Sequence, residues 1–169
     1  MSASFITMFE FNDQSEVDCF YSIDDQVMGG ISSSTFRSSE NSTAKFSGIV
    51  SLDNNGGFAS VRATLNCPIL SDALGIKLRI KGDGKRYKLR LFNSISFDSI
   101  AYEASFVSSS ECWVELEIPF SSFNAVWRGE PVNNAPEFKK NQICALGLMI
   151  SEKQVGGFAL CLDWIRAYL

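Results

Sequence analysis

The sequence predicts an all-β, antiparallel fold of the sandwich or barrel type, and three observations carry that prediction. Apolar and polar residues alternate with a period of two in one short segment after another. No long segment places its apolar residues at the i, i+3, i+4, i+7 spacing of an amphipathic helix. Clusters of Gly, Ser, Asn and Asp punctuate the alternating segments at the short intervals seen in sandwiches and barrels.

In chain order, residues 1–13 alternate their apolar side chains and contain no Lys or Arg, so they read as a first strand and not as a secretory signal. Residues 22–34 are rich in Gly and Ser and form a long loop of the kind that lies on a sandwich rim. Strands are predicted at residues 44–52 and 58–65. Ile76, Leu78 and Ile80, the turn-forming Gly82-Asp83-Gly84, and then Tyr87, Leu89 and Leu91 read as a β-hairpin. The run from Gly82 to Arg86 is no phosphate cradle, because a strand follows it where a helix N-terminus is needed. Further strands fall at residues 100–106, 113–118, 143–150 and 158–168, and residues 124–140, with Arg128, Pro131 and Pro136, form a second long loop.

Among aromatic residues, Phe46, Phe58, Phe106, Phe120 and Trp164 are expected to fill the core. Trp113 alternates with Glu115 and Glu117, which would share a face with it, although the packing value of an indole favours burial.

A chain of 169 residues suits a single domain over residues 1–169. Apolar residues at 46% and charged residues at 20% are the composition of a chain that folds unaided. The net charge of -4 argues against a nucleic-acid partner. No apolar run approaches the roughly 20 residues that cross a bilayer, so a soluble, cytoplasmic, monomeric protein is expected, peripheral to a membrane only through partners. Cys19, Cys67, Cys112, Cys144 and Cys161 show no Cys-x-x-Cys pair and are expected to be small apolar fillers in a reducing compartment, with no metal site.

Histidine is absent, which removes the commonest general base and the Ser-His and Cys-His nucleophile pairs. Carboxylate-only chemistry such as glycoside hydrolysis needs two acids facing each other across a cleft, an arrangement that adjacent Asp24 and Asp25 do not supply. The expectation is a non-catalytic binding protein without a cofactor.

Lys77, Arg79, Lys81, Lys85, Arg86, Lys88 and Arg90 crowd the predicted hairpin, where alternation would gather them on one face. Two readings stay open: a solvated outer face that discourages edge-to-edge association, or a docking surface for an acidic partner.

The stretch Ser22-Ile23-Asp24-Asp25-Gln26-Val27-Met28-Gly29-Gly30-Ile31-Ser32 resembles the family of complex I intermediate-associated protein 30, whose entry loop reads Asp-Asp-x-Val-Met-Gly-Gly-x-Ser. Further elements of the resemblance follow in order: Phe46-Ser47-Gly48, the run from Asn55 to Arg62, the run from Leu78 to Gly84 with Tyr87, Trp113, Ile118-Pro119-Phe120, Arg128-Gly129 and the run from Leu146 to Ile150. The resemblance implies a galactose-binding-like jelly-roll sandwich, similar in shape to carbohydrate-binding modules. It also implies a chaperone-like assembly factor for a large membrane complex, of the NADH dehydrogenase (complex I) or photosynthetic kind. The partners it implies are protein subunits under assembly, with a carbohydrate as the alternative.

The candidate binding residues are Asp24, Asp25, Met28, Gly29, Gly30, Ser32, Arg62, Arg79, Trp127 and Arg128. Glycines permit positive φ and close approach, while Asp24, Asp25 and Ser32 can cap backbone amides or meet a ligand. Arg62 and Arg128 each carry a guanidinium fork suited to a carboxylate, so each is either an ion-pair partner of Asp25 at the rim or a surface charge. Trp127 offers flat aromatic surface to a sugar or a protein.

Overall fold

The computed structural model describes residues 4–66 and 70–169, and in them the alternating segments become two facing antiparallel sheets. The strands are β1 (Phe5–Phe9), β2 (Phe20–Ser22), β3 (Ser33–Ser39), β4 (Thr43–Val50), β5 (Ala59–Thr64), β6 (Gly75–Lys81), β7 (Arg86–Phe92), β8 (Ala101–Val107), β9 (Val114–Pro119), β10 (Asn124–Trp127), β11 (Glu130–Pro131), β12 (Ala145–Ile150) and β13 (Gly156–Tyr168). One sheet has six strands in the order β3-β4-β13-β6-β9, with β1 also paired to β13; the other has seven in the order β11-β10-β8-β7-β12-β5-β2. Every inward position of β6 and β7, from Ile76, Leu78 and Ile80 to Tyr87, Leu89 and Leu91, is fully buried in the core between the sheets. That is the outcome period-two alternation dictates when one face of each sheet packs on the other.

The expected hairpin does not form. Strand β6 lies between β13 and β9 in the six-stranded sheet, whereas β7 lies between β12 and β8 in the other, so the chain crosses the sandwich at Gly82-Asp83-Gly84. Inward and outward residues alternate identically in a hairpin and in such a crossing, which is why periodicity alone does not separate them. The Asp83 carboxylate holds the crossing, accepting from the Lys85 amide at 3.0 Å, the Ala159 amide of β13 at 2.9 Å and the Tyr87 hydroxyl at 2.9 Å.

The basic residues are accordingly divided between two opposite outer faces. Lys77 and Arg79 pair with Glu117 and Asp163 on the six-stranded side, and Lys88 and Arg90 share Glu103 on the other. A single basic docking face is thereby excluded.

Both long loops carry more structure than expected. Residues 22–34 contain a 3-10 turn over Asp25–Met28 and the start of β3, and residues 124–140 contain β10 and β11. Phe138, in the latter, packs against Tyr102, Phe120 and Phe123 at one end of the core. A five-residue helix, α1 (Gln14–Asp18), is capped by Asp13, whose side chain accepts from the Ser15 amide at 3.0 Å.

Phe46 and Phe106 are buried in the core as expected, and Phe58 and Phe120 are half-buried. Trp164 is buried but faces outward beneath the Arg166 guanidinium, 4.0 Å from its ring. A bulge between Leu162 and Trp164 shifts β13 by one residue, handing the inward positions to Ile165 and Ala167. Trp113 is half-exposed with Arg79 over its ring, not in the core. Cys19 and Cys112 are exposed and so are not fillers; Cys144 and Cys161 are half-buried, and Cys67 lies outside the described residues.

Candidate functional site

The Asp24-Asp25 loop leaves β2 at one edge of the seven-stranded sheet and enters β3 at an edge of the six-stranded one. Its two acids look like exposed loop residues in sequence, yet Asp25 is fully buried and Asp24 nearly so. A buried carboxylate is costly unless hydrogen-bonded, and both are. Asp24 accepts from the Ser34 amide at 3.0 Å, the Ser34 hydroxyl at 2.6 Å and the Ser60 amide at 3.0 Å. Asp25 accepts from the Ser32 amide at 2.9 Å, the Ser32 hydroxyl at 2.5 Å, the Gly57 amide at 2.7 Å and the Phe58 amide at 3.4 Å.

Ser34 belongs to β3 and Ser60 to β5, so the Asp24 carboxylate ties one sheet to the other. Further bonds reinforce the tie: the Ser22 hydroxyl donates to the Ser34 carbonyl at 2.8 Å, and the Ser60 hydroxyl donates to the Ile23 carbonyl. Burial, the largest single influence on the Asp25 carboxyl, raises its pKa. The Ser32 hydroxyl and the amides of Gly57, Ser32 and Phe58 together outweigh it and hold the group below its ordinary 3.8.

The paired glycines have separate tasks. Gly29 closes the 3-10 turn at φ 88°, in the left-handed region that glycine adopts without steric cost. Gly30 has no room for a side chain, since a Cβ would stand 2.4 Å from Asp25 Cγ; a Cβ on Gly56 would stand 2.4 Å from Asp25 Oδ2. Two glycines from separate segments thus make the pocket in which the carboxylate sits.

Arginine takes no part. Arg128 makes a forked pair with Asp98, at 3.2 and 2.8 Å, on the exposed surface beside Trp127. Arg62 projects from the outer face of β5 onto the Phe92 ring, 3.8 Å from its centroid. The expected pairing of Asp25 with either is therefore corrected: serine hydroxyls and backbone amides take that role. Arg79, bound to Asp163 at 3.0 Å, and Trp127, 43% exposed, lie apart from the loop on separate elements. Of the candidate residues, Asp24, Asp25, Met28, Gly29, Gly30 and Ser32 come together, and Arg62, Arg79, Trp127 and Arg128 do not.

Ser34, Ser60, Gly56 and Gly57 complete the arrangement and were not anticipated. The sequence signal for Gly56, Gly57 and Ser60 is the Gly-Gly-Phe-Ala-Ser run, whose partner across the fold is not written locally, and Ser34 has none. With its acids buried, the loop turns its apolar side chains outward: Val27 is 59%, Met28 65% and Ile31 56% exposed, with Leu52 exposed on the segment that follows Ser51, whose amide bonds the Ser32 hydroxyl. Among the described residues no group of three or more His, Cys, Asp or Glu could hold a metal ion, and no helix is long and apolar enough to cross a membrane.

The family described as Complex I intermediate-associated protein 30 matches residues 9–162. A Schizosaccharomyces pombe protein, described as uncharacterized protein C9E9.15, is 32% identical over 169 residues, covering 88% of this chain and 77% of its own length. Among solved structures, the family 11 carbohydrate-binding module from Clostridium thermocellum, in complex with a beta-1,3-1,4-mixed-linked tetrasaccharide, superposes with a TM-score of 0.71 at 22% identity, covering 99% of this chain and 97% of that one. The family 30 module of a cellulosomal cellulase of the same organism gives 0.60 at 12% identity, covering 97% and 96%. These likenesses establish the jelly-roll, galactose-binding-like fold. With the family match spanning nearly every element described above, the chain belongs to the family of complex I intermediate-associated protein 30.

Proposed function

We propose that this protein is a non-catalytic, chaperone-like assembly factor that holds a protein subunit of a large membrane complex of the complex I type during its assembly. It acts from the cytoplasm and reaches the membrane only through that partner. One observation carries the reading: the loop bearing the family signature buries both acids in backbone-directed hydrogen bonds and exposes Val27, Met28 and Ile31. Carboxylates so engaged are poorly placed for acid-base work, whereas an adaptable apolar crest with a methionine suits the surface of an incompletely assembled subunit.

The test is affinity recovery of membrane-complex subunits by the tagged protein and by a Val27→Ser/Met28→Ser/Ile31→Ser variant. Recovery is expected to fall at least about tenfold, equivalent to about 1.4 kcal/mol, while the unfolding midpoint stays unchanged. Equal recovery by the two proteins contradicts the reading.

A second reading, carbohydrate binding, is favoured by a groove of about 580 Å³ on the outer face of the six-stranded sheet, lined by Trp113, Lys45, Arg79, Lys81 and Asp163 among others. Its indole is already covered on one side by Arg79, which leaves less flat surface for a sugar ring. A glycan array that includes mixed-linkage β-glucans decides: saturable binding abolished by Trp113→Ala supports this reading over the first.

A further inference from the structure

We propose that the outer face of the seven-stranded sheet carries an anion site, built by Arg62, Arg90 and Lys88, that receives the carboxylate of an acidic segment of a protein partner. This rests on the assembly reading above and supplies chemistry that the apolar crest lacks.

Strand register puts Tyr21, Arg62, Gly147, Arg90, Glu103 and Asn124 in one row across β2, β5, β12, β7, β8 and β10. The row faces outward, because the alternate residues Val61, Leu148, Leu89 and Ala104 face the core. Neighbouring strands stand about 4.8 Å apart, so the Arg62 and Arg90 positions are about 10 Å apart on either side of the buried Gly147, over which the Phe92 ring lies. A Cβ there would stand 3.0 Å from the Val61 carbonyl oxygen and 3.6 Å from the Phe92 ring. Phe92, fully buried, supports both guanidinium groups, whose carbons lie 3.8 and 5.4 Å from its centroid.

The charges on this face do not balance. Glu103 is the one carboxylate paired within the group, 3.3 Å from both Arg90 and Lys88. Arg62 is only 7% exposed, and among the described residues it makes no ion pair and no side-chain hydrogen bond; its guanidinium rests on the Phe92 ring, with Tyr21 beside it on β2. The buried Arg90 Nε lies 3.3 Å from Glu103 Oε2, an ion pair without full hydrogen-bond geometry. Arg62 is thus left without an anion beside an Arg90 that has one, and burial first, then the Arg62 charge, push Arg90 down to about 10 against the opposing pull of Glu103.

A guanidinium as buried as that of Arg62 is unfavourable until an anion meets it. A guanidinium fork matches a carboxylate, and Arg62 stands in the outward row of the sheet, the side from which one acidic side chain of an extended segment would approach it.

The probe is hexaglutamate, with hexaglutamine and oligogalacturonate beside it, titrated while the Nε–H signals of Arg62 and Arg90 are followed by NMR. Hexaglutamate is expected to shift both signals saturably, and Arg62→Gln to weaken binding about tenfold, the scale of one charge-assisted hydrogen bond. Lys77→Gln, the same charge change on the opposite sheet, is expected to leave binding unchanged. Arg62→Gln is also expected to raise the unfolding midpoint of the unliganded protein, an effect opposite to the loss of a structural contact. Should Arg62→Gln fail to fold, Arg90→Lys keeps the charge, removes the fork and is expected to weaken binding about fivefold.

Equal weakening by Lys77→Gln, or binding of oligogalacturonate but not hexaglutamate, overturns the proposal. Absence of hexaglutamate binding with subunit recovery intact overturns the site and leaves the assembly reading standing. Absence of subunit recovery in the wild type overturns the assembly reading and with it the assignment to a protein partner.

Discussion

Gly30 shows at the scale of one residue how a family signature can be structural. Its neighbour Gly29 supplies the left-handed turn, but Gly30 is required for clearance, since any Cβ collides with the Asp25 carboxyl carbon at 2.4 Å. That neighbour is held by hydrogen bonds from Ser32 and Gly57 and cannot swing aside. Gly30→Ala is therefore expected to destabilise the protein by about 2 kcal/mol, on the scale of overpacking a tight site. Chemical denaturation checks this, and a loss below about 0.5 kcal/mol would show that the carboxylate has room to move.

At the scale of elements, the acidic pair joins strands that no backbone ladder joins. Among the described residues β3 pairs only with β4 and β2 only with β5, so side chains, the Asp24 carboxylate with the Ser22 and Ser34 hydroxyls and Asp25 in the adjoining loops, supply the lateral bonding between the two sheet edges. Acid should weaken that junction. The folded-state pKa of Asp25 is depressed, so its contribution is fully present above the ordinary 3.8 and is lost as pH falls through the lower, folded-state value. Unfolding free energy should therefore decline below about pH 4 with a steeper slope in wild type than in Asp25→Asn. Parallel slopes would separate acid lability from this carboxylate.

Alternation was enough to find most long strands and the inward set Ile76, Leu78, Ile80, Tyr87, Leu89 and Leu91, because that pattern depends only on which face is buried. It could not show that β6 and β7 lie in different sheets, since the choice between hairpin and crossing is made by distant strands β12 and β13. Nor could it place Trp164, whose face depends on a one-residue bulge. Within the site, the motif residues were legible as a cluster. The burial of Asp24 and Asp25 was not, because their partners Ser60, Gly57 and Phe58 lie more than thirty residues away.

For the whole molecule, the same economy recurs on every face. Acids and glycines that a reader would assign to chemistry fasten the sandwich, and what is left for recognition is the apolar crest of the loop and the outward rows of the two sheets. A histidine-free chain with -4 net charge leaves Arg62 without an anion and Lys88 and Arg90 sharing one carboxylate, and concentrates apolar exposure at Val27, Met28 and Ile31. Both features would be liabilities for a domain with nothing to bind.

The most direct measurement is the unfolding free energy of Asp25→Ala against wild type at neutral pH. If the carboxylate fastens the two sheets, the substitution strands three backbone amides, leaves the Ser32 hydroxyl only the Ser51 carbonyl, and lowers stability by about 4 kcal/mol. A variant within about 1 kcal/mol of wild type that had nevertheless lost partner recovery would contradict the account and return Asp25 to the binding surface.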